Sequence, residues 1–364
     1  MKKIYNFNAG PSMLPKEVLL KAKKDLLNWN NLGVSIMEIS HRSLDFITLT
    51  NKIEKNLISL LNIPKSYKIL FSPGGARGQF SAIPTNILNN WNNTSDYIVG
   101  GYWSNEAFLE SQKYCFSNKI NIRKNFYQKQ KILSMKNWKL NKDSKYVHYC
   151  PNETIEGIEI FEDPISENFN NKIIVGDFSS TILSKPINIK YYDIIYAGVQ
   201  KNIGPPGITL IIIKKNLFKK NKITPSILYY KNLLKYDSMF NTPVTFSWYL
   251  SGLVIKWLKK KGGLKKINII NHKKANLLYN YIDKSDFYFN NIHKNNRSLL
   301  NITFNIINPF LNNFFLKESK FLGFLSLKGH NLIGGIRASI YNAMPIKGVK
   351  KLITFMKYFK KKYG

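Results

Sequence analysis

Lys201 lies in Tyr196-Ala-Gly-Val-Gln-Lys-Asn-Ile-Gly-Pro-Pro-Gly207, the one lysine of a stretch that is otherwise apolar, small or turn-forming. The run Ile194-Ile-Tyr-Ala197 reads as a buried strand that ends at Gly198. A lysine at such a strand end loses part of its hydration, and its amine pKa falls. A neutral amine near neutral pH is the nucleophile that Schiff-base chemistry needs. The chain holds 55 lysines and arginines in 364 residues, so context singles this lysine out, not residue type.

Asp177 ends a second strand-like run, Lys172-Ile-Ile-Val-Gly-Asp177, and is followed by Phe-Ser-Ser. A carboxylate at a buried strand end needs a positive partner. A pyridinium nitrogen would supply one, and the carboxylate would keep that nitrogen protonated. This is the electron-sink arrangement of pyridoxal phosphate. An aspartate after a strand serves equally well as a helix cap. Ser179 and Ser180 are placed to orient the carboxylate.

Ser72-Pro-Gly-Gly-Ala-Arg-Gly-Gln79 joins a strand to a helix. Glycines let backbone approach a ligand, and the first amides of a helix favour anions. The segment is not a P-loop and not a dinucleotide fingerprint. Gly101-Tyr-Trp103 puts an indole just past a strand, for stacking on a planar ring or for the core. Thr154 offers a hydroxyl after the strand Tyr146-Val-His-Tyr149. Arginine is confined to Arg42, Arg77, Arg123, Arg297 and Arg337. In a chain so rich in lysine, these mark places that need a planar two-pronged donor. Arg123 and Arg297 read as structural. His41-Arg42, and His330 with Arg337, read as pairs fit to hold anions.

To about residue 215, strand-like runs alternate with helix-like ones: 67–71, 96–101, 172–177, 193–198 and 208–213. Short continuous apolar strands separated by helices predict a mostly parallel sheet covered on both faces. Ligands bind beyond the carboxyl ends of such strands. From about residue 245 the pattern shifts to a smaller α+β part. Helices are expected over Phe246–Lys259, His272–Ile282 and from Pro345 onward, with a break at Gly262-Gly263. Strands are expected over Leu299–Ile306 and Ile336–Ile340. The last helix places Val349, Leu352, Ile353, Met356 and Phe359 on one face.

The formal charge of +34 would ordinarily suggest nucleic acid. However, the lysines are scattered, Asn, Ile, Phe and Tyr are abundant too, and no nucleic-acid-binding signature appears. The charge therefore reads as compositional drift. No stretch is apolar enough to cross a bilayer. Met1-Lys-Lys-Ile-Tyr-Asn lacks the apolar core of a secretory signal. Cys115 and Cys150 have no metal-ligand spacing. A cytoplasmic protein without metal is expected.

The chain resembles the phosphoserine aminotransferases, fold-type I pyridoxal-phosphate enzymes of class V, along essentially its whole length. The likeness rests on Asn6-Phe-Asn-Ala-Gly-Pro-Ser-Met-Leu-Pro15, Met37-Glu-Ile-Ser-His-Arg42 and Gly74-Gly-Ala-Arg-Gly-Gln-Phe80. It continues in His148-Tyr-Cys-Pro-Asn-Glu-Thr-Ile-Glu-Gly157, Asp177-Phe-Ser-Ser-Thr-Ile-Leu-Ser184, Gln200-Lys-Asn-Ile-Gly-Pro205, Phe240-Asn-Thr-Pro243 and Arg337-Ala-Ser-Ile-Tyr-Asn-Ala-Met-Pro345.

The resemblance implies a large domain over 16–264 and a small one over 1–15 with 265–364. It implies a Schiff base at Lys201, which also moves the substrate proton, and Asp177 on the ring nitrogen. Trp103 would stack on the ring and Thr154 would bond its phenolic oxygen. Ala76, Arg77 and Gln200 would hold the cofactor phosphate, joined by Asn241 and Thr242 of a second copy, so a homodimer is implied. Arg337 would clamp the substrate α-carboxylate. His41, Arg42, Arg77 and His330 would hold the phosphate of phosphoserine or the distal carboxylate of glutamate. The reaction implied is amino transfer between phosphoserine and 2-oxoglutarate in serine biosynthesis. The family also acts on 4-phosphohydroxy-threonine in vitamin B6 synthesis, a question left open for this chain. Ala76 and Val199 depart from the pattern without removing a functional side chain. A cysteine-dependent lyase related to the desulfurases and a nucleic-acid-binding protein are the competing readings.

Overall fold

The short apolar runs assemble into one seven-stranded sheet. Its strands are β1 (Tyr67–Pro73), β2 (Thr94–Val99), β3 (Phe116–Asn121), β4 (Ser144–Tyr149), β5 (Ile173–Asp177), β6 (Ile194–Gly198) and β7 (Ile208–Lys214). They appear in a computed structural model that describes residues 3–88, 90–165, 167–169, 172–218 and 224–364. In space the order is β1-β7-β6-β5-β4-β2-β3. All run parallel except β7, which is antiparallel to β6 and to β1. The reversal follows from length: the link from Gly198 to Ile208 is too short for a crossover helix, so the chain turns back beside β6.

The central strands are buried on both faces, which explains their unbroken apolar sequences. Ile195 and Ala197 of β6 join one core with helices Leu44–Leu61 and Thr245–Lys260. Ile194 and Tyr196 point the other way, into a core with helices Arg77–Ile87 and Tyr102–Ser111. The chain leaving β2 turns toward β3, whereas the chain leaving β4 turns toward β5 on the other side. The carboxyl ends of β2 and β4 therefore border a crevice, the place where open α/β sheets bind ligands.

A third core lies in the C-terminal part. Strands β8 (Tyr288–Phe289), β9 (Asn301–Ile306) and β10 (Ile336–Ser339) form an antiparallel sheet. Helices Leu311–Phe321 and Ile346–Tyr363 cover it. The N-terminus joins this core: Tyr5–Asn6 pairs with Phe324–Leu325, and Tyr5 and Phe7 are buried there. Pro345 is the N-cap of the last helix, which buries Val349, Leu352, Phe355, Met356 and Phe359, while Ile353 is only partly covered. The break at Gly262-Gly263 is present, with both glycines at positive φ. Beyond it, one helix runs from Gly263 to Asp283, longer than the expected His272–Ile282. Its first turns bury Leu264 and Ile267 in the large core, and its later turns bury Ala275, Leu278 and Ile282 in the small one. Anchorage at both ends extends the helix past what its apolar pattern suggests.

Lys274 of that helix is fully buried, and its amine donates to the carbonyls of Ile340 and Tyr341 at 2.7 Å each. Burial pushes its pKa down from 10.5 to about 7. A neutral amine has two hydrogens, one for each carbonyl. The unfolded chain thus binds one more proton here between pH 7 and 10.5, and stability contributed by this site rises with pH through that window. In urea titrations, wild type should gain stability over Lys274→Met as pH is raised from 7 to 10. A gap that stays constant or narrows would show that Lys274 is charged in the fold.

Candidate active site

Lys201 follows β6 in a turn pinned by the N-terminal segment. Ser12 donates its amide to the Gln200 carbonyl (2.9 Å) and its hydroxyl to the Lys201 carbonyl. A Cβ on Gly198 would lie 2.5 Å from Gln200 Oε1, so the glycine leaves the Gln200 side chain its present place. The Lys201 amine lies 5.9 Å from the centre of the Trp103 ring. Burial pulls its pKa below the usual lysine range, and the nearby Asp177 carboxylate works in the opposite direction.

Asp177 closes β5 and is 5% exposed. Its Oδ1 accepts from the Ser179 amide (2.9 Å) and hydroxyl (2.5 Å). Burial pushes the carboxyl up, and the Ser179 bonds and Lys201 counteract it. The residues after Asp177 form turns, not an α-helix, so the capping alternative is not realised. Ser180 does not touch the carboxylate: it pairs with Asn152, donating to its carbonyl and accepting from its amide. Tyr196, opposite Asp177 in the sheet register, reaches it with its hydroxyl. The same hydroxyl pairs with His148 Nε2, 2.7 Å away. Burial pushes His148 down to about 3, so it remains neutral.

Trp103 is in the first turn of the helix after β2, and Thr154 is just past β4, on opposite sides of the crevice. The indole Nε1 donates to Thr154 Oγ1 at 3.0 Å, which leaves the threonine's own hydrogen to donate elsewhere. Gly75, Ala76 and Arg77, at the start of helix Arg77–Ile87, complete the wall, with Gln200, His330 and Arg337. The cavity, open to solvent on one side, is about 480 Å³. Arg337 Nη1 donates to the Thr154 carbonyl at 2.9 Å. His330 accepts from the Leu332 amide and lies against Tyr102, ring centres 5.7 Å apart.

A lysine, a buried carboxylate, an indole wall and a helix N-terminus in one cavity suit a flat phosphorylated cation. Comparison with known proteins agrees. The family model for class-V aminotransferases matches residues 4–352. The chain belongs to the class-V aminotransferases. It is 59% identical, over the full length of both chains, to a phosphoserine aminotransferase of Buchnera aphidicola from Acyrthosiphon pisum. A solved structure describing radiation damage of the Schiff base in phosphoserine aminotransferase has a TM-score of 0.95 at 40% identity, covering both chains fully. A pyridoxal-phosphate-bound phosphoserine aminotransferase from Trichomonas vaginalis has a TM-score of 0.91 at 34% identity, covering 98% of this chain and all of its own.

Not every expected residue of the aminotransferase reaches the cavity of this chain. Arg42 is exposed and His41 half-buried, and neither lines it. Asn241 and Thr242 are exposed and also lie outside it. Arg77 does line it, but its guanidinium is turned to Glu106 (2.9 Å) and the Tyr102 hydroxyl (3.2 Å). Conversely, Asn8, Ala9, Gly10, Cys150 and Asn152 line the cavity without having been singled out by sequence chemistry. A signal existed for Asn152: a polar residue beside Thr154 on a buried segment. Among the described residues, no group of three or more His, Cys, Asp or Glu could hold a metal ion, and no helix is long and apolar enough to cross a membrane.

Cys150 bears on the lyase alternative. Its thiol is buried at the cavity, and burial raises its pKa well above the ordinary range, so it is not a thiolate. Native protein at pH 7.5 should resist iodoacetamide at Cys150 until denaturant is added, as read by peptide mass spectrometry. Rapid alkylation of the native protein would revive the cysteine-dependent reading.

Proposed function

We propose that this chain is a phosphoserine aminotransferase that uses pyridoxal phosphate. It exchanges the amino group between phosphoserine with 2-oxoglutarate and 3-phosphohydroxypyruvate with glutamate, in the cytoplasm. The observation that carries the reading is the convergence of Lys201, Asp177 and Trp103 on one cavity. The donor set fits the cofactor: burial leaves Asp177 short of a positive partner, as a pyridinium nitrogen would provide. When bound, the cofactor supplies an electron sink for the charge left on the substrate's α-carbon.

This chain's residues do the rest. Lys201, its pKa lowered, would take the proton at Nζ from the substrate's α-carbon and pass it to the cofactor within the same half-reaction; the other half-reaction would run that transfer in reverse. Asp177 Oδ2 would accept from the protonated ring nitrogen, while Ser179 fixes Oδ1. Thr154, already accepting from Trp103, would donate its hydrogen to the phenolic oxygen. The amides of Ala76 and Arg77 at the helix N-terminus, with Gln200, hold the phosphate dianion. Arg337 spends one nitrogen on Thr154 and offers the rest of its fork to the substrate α-carboxylate.

A homodimer completes the site in this reading. Leu27, Met37 and Leu44 are 82%, 56% and 78% exposed around the His41-Arg42 segment. Apolar side chains so exposed mark an association surface. His41, Arg42, Asn241 and Thr242 would then serve the partner's cavity. The division into 16–264 and 1–15 with 265–364 follows the separate cores, with helix Gly263–Asp283 as the bridge.

Purified protein should be yellow, and Lys201→Ala should lose borohydride-reducible attachment of the cofactor. Turnover should fall by about 10²–10⁴-fold or more with the loss of the proton-transferring amine. Phosphoserine should be used in preference to serine. A colourless protein that pyridoxal phosphate cannot reconstitute, or equal use of serine, would refute the assignment. Sedimentation should give a dimer at micromolar concentration; an active monomer would refute the shared site.

A further inference from the structure

The helix Tyr102–Ser111 begins after Gly101, which has no side chain to cap it. Two carboxylates from a distant segment take that place. Glu153 Oε2 accepts from the Trp103 amide (3.0 Å), and Oε1 from the Ser104 amide (2.9 Å) and hydroxyl (2.5 Å). Glu156 Oε1 accepts from the Tyr102 amide at 2.9 Å. Glu153 is 1% exposed. A Cβ on Gly101 would lie 2.6 Å from Glu153 Cγ, so the glycine is what lets the carboxylate reach the helix.

This is a costly way to cap a helix. Burial raises both carboxyls, and their mutual repulsion raises Glu153 further. A serine or aspartate at an N-cap would satisfy one of these amides locally, at no such cost of burial. What the remote carboxylate adds is a tether between the helix and the segment after β4. The next residue on that segment is Thr154, whose hydroxyl takes the indole N–H of the same Trp103. Consecutive residues thus grip one tryptophan at its backbone and at its ring. The Thr154 carbonyl in turn takes Arg337.

We propose that Glu153 is a positioning residue for the cofactor: by holding the first turn of the helix against Thr154, it fixes the Trp103 indole as the wall on which the ring stacks. The inference rests on the aminotransferase reading for the identity of the ligand. The clamp itself concerns only this chain.

The variants are Glu153→Gln, Gly101→Ala and, as a control for lost stability, Glu159→Gln. Glu159 is a buried carboxylate outside the cavity, paired with Lys185 and the Leu299 amide. Pyridoxal phosphate affinity should weaken about tenfold in E153Q and in G101A, as a bond to a charged group is lost or displaced. The visible circular dichroism of the bound cofactor should drop with it. E159Q should lower thermal stability and leave both readouts at wild-type values. In cofactor-free full-length protein, the Trp103 and Ser104 amides should exchange with solvent faster in E153Q than in wild type. Wild-type affinity and dichroism in both E153Q and G101A would overturn the proposal, as would equal loss in E159Q. Should wild type itself bind no pyridoxal phosphate, the functional reading fails. Amide exchange then decides the clamp alone, and unchanged protection in E153Q refutes it.

Discussion

Burial works against the charge of both Asp177 and Lys201: the Ser179 bonds do most to relieve Asp177, with Lys201 adding to them, and the Asp177 charge does most to relieve Lys201. Removing one partner of a buried pair leaves an uncompensated charge, which costs far more than the pair itself contributes. The sheet makes the pair possible. β5 and β6 are parallel neighbours, so their carboxyl ends deliver carboxylate and amine to one side. The Ser179 hydroxyl binds Asp177 and also accepts from the Gly198 amide at 3.0 Å, tying the carboxylate to the exit of the lysine's own strand. Below, Tyr196 and a neutral His148 complete a buried polar column. The large core is the dry housing that gives these few polar groups their shifted pKa values.

The five arginines show what selection of a planar fork looks like in a lysine-rich chain. Arg297 binds Asp283 with both terminal nitrogens, at 2.7 and 2.8 Å, while its face covers the Tyr279 ring. An ammonium group cannot do both. Arg123 binds Gln130 and lies 3.8 Å from Glu156, behind the cavity. Arg337 reaches a carbonyl and keeps donors free. Scattered lysines, in contrast, engage exposed carboxylates such as Glu17 and Asp286, where water screens the pair and it contributes little.

The sheet was legible because its central strands are buried on both faces and so are written as unbroken apolar runs. The antiparallel β7 was not, since direction depends on where the chain turns and leaves no mark on composition. Edge strand β3 carries a half-exposed polar sequence and was missed for that reason. In the site, Lys201 was legible because a lone lysine in an apolar, turn-forming stretch is chemically odd, whereas Asp177 and Trp103 each had an ordinary structural reading that only the resemblance outweighed. Glu153 was not legible, because a glutamate in a polar segment is ordinary until the fold buries it under a helix end. The role of Ser180 was misjudged for a related reason: adjacent serines are alike in sequence, and only the turn geometry sends one to Asp177 and the other to Asn152.

Charge accounting inside the cavity bears on why the proposed function calls for a second copy of the chain. A substrate of the proposed class brings an α-carboxylate and a second anion, phosphate or carboxylate. The helix N-terminus at Ala76 and Arg77 is committed to the cofactor's own phosphate in this reading, and Lys201 faces Asp177. Arg337 answers the α-carboxylate. Arg77 remains, held by Glu106 in a pair whose guanidinium is 58% exposed, a contact weak enough in water for a substrate anion to displace. A lone exposed guanidinium is a poor clamp for a dianion, because solvent screens it. A second fork brought in by another copy would both add charge and exclude water, and Arg42, exposed and flanked in sequence by the exposed Met37 and Leu44, carries such a fork.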